Sequence, residues 1–343
     1  MIIQGENKMA LYVADTSQAS LKMESGTFGV ASGGTFWLGL VQEVSIDENT
    51  NPFIIRQVNS STRSVSQWEN GPLDVDFSTT LYPQDWRFLY LTMGSVVSTS
   101  GVSSSHAIKE LNSGDLFANL TSGALTNFPT FTIEDAHVAP GTGLNFVRTI
   151  NGGMVDSMEI SISEGEMVSV SINGQAQNVV YSSGAATAVT AQTLTPYLWQ
   201  HCQVHIPSGT MIEPVTEATV TISNNLDRHH YINGSRVIAT ITPINRDYEI
   251  SVSLHGDTNY TKTFYDSYFI PGSEFNMMIN MIAKSGTTSA VGTRSCALIF
   301  SGCKLIDMEA PTAIENITEQ TLTINAKNLT ATVIDGNAKL ALF

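Results

Sequence analysis

Residues 248–254, YEISVSL, alternate apolar and polar side chains, the two-residue period of a strand with one buried face. Residues 158–162, MEISI, and 167–172, MVSVSI, do the same, and SEGE between them supplies a hairpin turn whose glycine tolerates positive φ. Helical spacing is scarce. Its best instance is YPQDWRFLYLTMG (82–94), where Pro83 suits a first turn, Asp85 the positive N-terminal end and Gly94 a stop, while Trp86, Leu89, Tyr90 and Met93 recur on one face. A second stretch, TNYTKTFYDSYFIPG (258–272), ends at Pro271-Gly272. STSGVSSSHA (98–107) reads as a flexible loop. The pattern predicts an all-β chain, mainly β with short helices.

The pattern is also written twice. INGGMVDSMEIS (150–161) aligns with FSGCKLIDMEAP (300–311) at an offset of 150, with Gly152 over Gly302, Gly153 over Cys303 and Met158-Glu159 over Met308-Glu309. EMVSVS (166–171) aligns with EQTLTI (319–324) at 153, which reads as a small insertion. DVDFSTTLY (74–82) aligns with DYEISVSLH (247–255), WRFLYLTMGS (86–95) with FYDSYFIPGS (264–273), and VSIDEN (44–49) with VTISNN (220–225). These ordered matches predict an internal duplication. The expected layout is an N-terminal arm (1–30), a first module (31–180), an uncharged linker, YSSGAATAVTAQTLT (181–195), and a second module (196–343). Each module reads as a β-barrel or sandwich with one flanking helix.

Composition narrows the function. The chain has 343 residues, enough for two cores, and 42% of them are hydrophobic. Only 14% are charged, with 16 basic against 31 acidic residues and a net charge of −15. Residues 1–195 carry 7 basic and 18 acidic residues, residues 196–343 carry 9 and 13. Lys and Arg form no cluster, so a grip on nucleic-acid phosphates is not expected. The N-terminus lacks the charge-then-apolar pattern of a secretory signal, and no apolar run approaches the roughly 20 residues that span a bilayer. No membrane partner is expected.

Candidate chemistry is sparse. Cys202, Cys296 and Cys303 are an odd set that reads as small buried residues. His201 and His205 share a strand face but stand roughly 13 Å apart, too far to share a metal. His229-His230 reads as a turn or surface pair. PGTGLN (140–145) lacks the Lys-Ser/Thr of a phosphate loop, and no G-x-S-x-G elbow occurs. No catalytic residue, metal site or cofactor is predicted. The acids are more informative. Asp74 and Asp76 lie on the polar face of a strand, and Asp247 and Glu249 repeat that placement. The bland reading is a solvated sheet face; the functional one is an acidic surface that both copies present.

The stretches WENGPLDVDFSTTLYPQDWRFLYLTMGS (68–95), TFTIEDAHVAPGTGLNFVRTINGGMVDSMEISISEGE (130–166), INGSRVIATITPINRDYEISVSL (232–254) and IFSGCKLIDMEAP (299–311) resemble the tail tube proteins of tailed phages, over most of residues 36–325. The resemblance implies a structural virion protein, not an enzyme. Such proteins stack as rings into a hollow tube that conducts viral DNA into the host, and inner strands of neighbouring subunits join to line the lumen. One-module members form hexameric rings, so a two-module chain implies a trimeric, pseudo-hexameric ring. The implied partners are other copies of itself, the tape measure protein inside the tube, the tail tip, the terminator and possible sheath, with DNA passing unbound. The implied location is the virion tail, assembled in the host cytoplasm. In that setting Asp74, Asp76, Asp247 and Glu249 are lumen-lining candidates, since like charge repels phosphate. Another structural tail-tip protein, or a carbohydrate-binding adhesive β-sandwich, remains the alternative.

Overall fold

The computed structural model describes residues 18–24, 28–57, 64–99, 104–116, 127–138, 145–190, 194–255, 258–283, 294–309 and 319–335. Among them the first half of the chain forms β1 (Gln18–Glu24), β2 (Ala31–Trp37), β3 (Leu40–Asn49), β4 (Phe53–Ile55), β5 (Gln67–Glu69), β6 (Asp74–Tyr82), β7 (Gly94–Thr99), β8 (Ser104–Glu110), β9 (Phe131–Val138), β10 (Asn145–Ser163), β11 (Ser169–Ala176) and β12 (Asn178–Ser182). The second half forms β13 (Cys202–His205), β14 (Val215–Ser223), β15 (Leu226–His229), β16 (Thr240–Pro243), β17 (Asp247–His255), β18 (Phe275–Ala283), β19 (Arg294–Glu309), β20 (Glu319–Ala326) and β21 (Asn328–Asp335). The helices are α1 (Arg87–Met93), α2 (Ser113–Leu116) and α3 (Thr258–Phe264), the last continued by a π turn over Tyr265–Phe269. The expected all-β fold with short helices is what forms.

One curled antiparallel sheet runs through both halves in the order β3-β6-β11-β10-β14-β17-β20-β19. Alternation decides its faces. In β6, Val75, Phe77, Thr79 and Leu81 are buried while Asp74, Asp76, Ser78 and Thr80 face away. β17 repeats this with Tyr248, Ile250, Val252 and Leu254 inward. The inward residues of both halves belong to one apolar cluster. Helix α1 is buried on nearly every side, including Phe88 and Leu91 outside the expected stripe, because it lies under the sheet rather than on the surface. Its Trp86 ring packs 5.4 Å from that of Tyr197. Gly94 ends it in the left-handed region at φ 95°.

β10 and β19 are long because each serves two sheets. Their C-terminal parts lie in the curled sheet. Their N-terminal parts lie in two further sheets, β2-β1-β9-β10-β12 and β13-β18-β19-β21-β8-β7. The turn between the two roles falls on Gly152 (φ 67°) and Gly302 (φ 62°), inside the repeated INGG and FSGC motifs. A Cβ on Gly152 would stand 2.6 Å from the Gln177 Cβ, and one on Gly302 would stand 2.8 Å from the Lys327 Cδ. Gln177 N–H donates to Asn151 O, and Lys327 N–H to Ser301 O, so the neighbours that crowd the glycines are themselves pinned.

Local geometry recurs along the chain. Bulges fall at Val155/Ser157 and Leu305/Asp307, and at Val41/Glu43 and Val215/Glu217. Asn51 and Asn225 both take positive φ, at 40° and 48°, and their side-chain amides donate to Asp74 and Asp247 respectively. Ser66 N–H donates to Ile55 O as Ala239 N–H does to His229 O. The pairings correct two alignments. Met158 opposite Ile172 matches Met308 opposite Leu322, so the β11 counterpart sits at an offset of 150, not 153, and there is no insertion. A three-residue slip would have turned buried Val168 and Val170 onto the face of Thr321 and Thr323. The β3 counterpart sits at 174, not 176. That two-residue slip preserves the face, so alternation alone does not reveal it.

Three expected irregular segments carry structure. β1 lies within the expected arm, paired with β2 and β9; residues 1–17 are outside the described residues. The expected loop 98–107 is a hairpin, β7–β8, whose β8 pairs with β21 of the second half; residues 100–103 lie outside the described set. In the expected linker, Thr187 donates through its N–H and hydroxyl to Glu134, and residues 191–193 are outside the described set. Gly152→Ala and Gly302→Ala are each expected to destabilise the fold by about 1–3 kcal/mol, because both combine positive φ with a blocked Cβ. Gly165→Ala, at φ 82° in open space, is expected to cost about 1 kcal/mol or less. Urea unfolding measures all three.

Candidate functional surface: the polar face of the continuous sheet

The face opposite the core collects every second side chain of eight strands. One register line crosses all of them: Glu43, Thr80, Ser171, Glu159, Thr221, Glu249, Asn325 and Lys304. Hydroxyl contacts such as Thr80 Oγ1 with Ser171 Oγ (3.3 Å) and Ser253 Oγ with Thr321 Oγ1 (3.2 Å) tie neighbouring strands. Asp47, Glu217, Asp307, Glu309 and Glu319 are exposed on the same strands. The surface is therefore hydroxylated and acidic across its width. Sequence reasoning singled out only Asp74, Asp76, Asp247 and Glu249, and gave no role to Glu159 and Glu309, which also matched between the two copies. The signal for the others was the same i, i+2 alternation, applied to β3, β10, β14, β19 and β20.

The four predicted acids all lie on this face, but in unequal surroundings. Glu249 is exposed. Asp247 accepts from Asn225 Nδ2 at 2.9 Å. Asp76 and Asp74 meet the β15–β16 hairpin of the second half, with Asp76 still half exposed. Arg228 reaches Asp76 Oδ1 at 2.5 Å and Asp74 Oδ1 at 3.6 Å, and His230 Nε2 sits 3.1 Å from Asp74 Oδ1. His230 is thus engaged with a carboxylate, where the sequence suggested a plain surface pair. Burial pushes the Asp74 carboxyl up, but hydrogen bonds from His230 and Asn51 and the Arg228 charge outweigh it, and the net shift is below the ordinary value.

The same hairpin fastens the two halves in other ways. Arg236 Nε donates to Gly71 O at 2.6 Å, and Asp156 Oδ1 accepts from the Leu226 N–H at 2.7 Å. Asn224 Nδ2 donates to Thr92 O and Val155 O. Arg246 donates to Asn224 Oδ1 and to the Thr92 and Met93 carbonyls that end α1. Ile238 and Ile241 are buried against Leu116, Phe128 and Met154 of the first half.

The cysteines are free thiols: Cys296 and Cys303 are buried in the core, and Cys202 is half-buried against it. Burial pushes Cys202 up to about 12 and Cys303 up to about 11, and Cys296 well above the usual thiol value. At neutral pH they are protonated, which removes their nucleophilic form. Cys303 occupies the place of Gly153 and packs opposite Phe275, as Gly153 does opposite Phe131. His201 and His205 flank and enter β13, the strand expected there.

An all-β protein built on one curled sheet, with one apolar and one acidic, hydroxylated face, is the class these features define. The chain matches the family of phage tail tube proteins over residues 16–327, and it belongs to that family. It is a structural component of a phage tail. No curated protein matches it.

The lowered Asp74 value links stability to pH. Its contribution is complete above the ordinary carboxyl value of 3.8 and is lost as pH falls through the lower folded value. Asp74→Asn is therefore expected to lower stability at neutral pH by about 1 kcal/mol or less and to flatten the acid limb below that value. Urea titrations at stepped pH test this; parallel curves for the two proteins would rule it out.

Proposed function

We propose that the chain is two tandem tube modules, and that three chains close into a pseudo-hexameric ring whose stacked copies form the tail tube. The acidic face lines the lumen, and viral DNA passes through it without adhering. The tape measure, tail tip and terminator proteins are the other partners, and assembly takes place in the host cytoplasm before incorporation into the virion tail.

One observation carries this reading. Seven residue pairs, Ser157–Ser163 against Ser223–Glu217, join the two halves through β10 and β14. The counterparts of those two strands are the C-terminal part of β19 and β3. Among the described residues these form the two outer edges of the curled sheet, each paired on one side only. Unpaired strand edges invite further pairing, and a head-to-tail contact that repeats around an axis closes into a ring. Carrying the internal register across places Asp307 opposite Asn49 and Glu309 opposite Asp47 of the next copy. With eight strands from each chain, three chains line the lumen with 24.

Electron microscopy of the purified protein should show rings or tubes with a central hole. A monodisperse monomer at all concentrations would overturn the reading. The passive-lumen element is tested separately with Glu43→Lys, Glu159→Lys and Glu249→Lys combined, since these exposed acids form no salt bridge among the described residues. Tubes should still assemble while DNA delivery falls about tenfold or more, because the lumen now attracts phosphate. Delivery at the wild-type level would show that lumen charge is irrelevant.

A further inference from the structure

The β4–β5 hairpin is the first-half counterpart of β15–β16. Asn51 and Asn225 enter the two hairpins in the same conformation, and the bonds Ser66 N–H to Ile55 O and Ala239 N–H to His229 O close them alike. Their surroundings differ. Ile241 on β16 is 1% exposed against the first half, while its counterpart Trp68 is 60% exposed, with Phe53 at 59% and Ile54 at 54% beside it. An apolar hairpin surface of this kind marks a docking site.

We infer that this hairpin docks on the second half of a neighbouring copy, over β17, Ile270 and Ile306, as β15–β16 docks on the first half within the chain. The inference rests on the ring reading above. One matched change identifies the occupant, and a second, one-sided change agrees with it. Within the chain, Asp156 accepts from the Leu226 N–H. At the counterpart positions Asp156 becomes Ile306 and Leu226 becomes Pro52, which has no N–H, so acceptor and donor disappear together. On the donor side alone, Asn224 and Arg246, which clasp the main-chain carbonyls of Thr92 and Met93, are replaced by Thr50 and Leu73. Both sides of the Asp156–Leu226 contact have changed from polar to apolar in step, and only a second copy carries both sides. Ile270 and Ile306 are 63% and 50% exposed, a complementary apolar surface. Among the described residues the second half is less crowded than the first. A Cβ on Gly94 would strike Leu111, whereas one on its counterpart Gly272 meets the end of Lys304, leaving room for a Trp where the first seam holds an Ile. Charge agrees: Arg56 takes the place of His230, and Asp247 that of its partner Asp74.

The test uses the full-length protein. Ile54→Ser with Trp68→Ser should leave the thermal melt unchanged and raise the concentration needed for tube formation tenfold or more. A photo-crosslinking amino acid at position 68, in a mixture of isotopically light and heavy protein, should link to residues 247–249, 270–272 or 304–306 of another copy. Unchanged tube formation by the double variant, or inter-copy links that map elsewhere, would overturn the inference while leaving the tube reading intact. If the wild type forms no tubes, that reading fails, and the crosslink in concentrated solution still decides: links to the second half uphold the docking, and their absence overturns it.

Discussion

The hydrogen-bonded pairing of Ser157–Ser163 with Glu217–Ser223 is the contact on which the rest of the structure depends. It makes one sheet out of two four-stranded sets. It also aligns Met158, Ile160 and Ile162 with Ile222, Val220 and Ala218, so that a single apolar face continues across the join. The hairpin clasp, the Asn224–Arg246 network and the β8–β21 pairing are all placed by that alignment. A one-residue slip would carry every one of these side chains to the opposite face.

The glycine bends are the second constraint. A strand of 19 residues that lay in one plane would leave half its length unpaired. By turning at Gly152, β10 pairs with β9 and β12 before the bend and with β11 and β14 after it. β19 does the same at Gly302. Each part of the two strands thus has a ladder to join, and the curl of the main sheet follows from the bend. Gly152 N–H even has a designated acceptor, the buried Glu24 carboxylate, which also takes the Thr132 hydroxyl and the Gly29 N–H.

Much of this was legible in the sequence, and what was missed has physical causes. Alternation in DVDFSTTLY and DYEISVSLH located β6, β17 and their polar acids, and the INGG/FSGC repeat marked matching positions without revealing that the strands bend there. The helices were placed within a few residues at Pro83-to-Gly94 and before Gly272. The matching of β3 to β14 went astray by two residues because period-two alternation is blind to a slip of two. The β7–β8 hairpin read as a loop because its Ser-rich strands draw their stability from pairing with β21, a contact more than 200 residues away. His230 read as a surface residue because its partner, Asp74, lies across the join between the halves. Only tertiary pairing reveals such contacts.

The two seams of the proposed ring differ because they form under different conditions. Within the chain, covalent linkage holds the halves at high effective concentration, so the join tolerates ordered, polar fastenings that demand alignment: Arg228 on Asp76, Arg246 on the α1 carbonyls. Between chains the partners must first meet. The counterpart surfaces offer Trp68, Phe53, Ile270 and Ile306, non-directional contacts that reward approach before the register is settled. The proposed register also sets Glu309 against Asp47, beside Asp76. That like-charge row opposes two free chains more than chains held in place by a growing ring, where the hydrophobic contact and the strand pairing form together. In the proposed ring, duplication does more than halve the number of subunits. It lets one seam be built for permanence and the other for assembly.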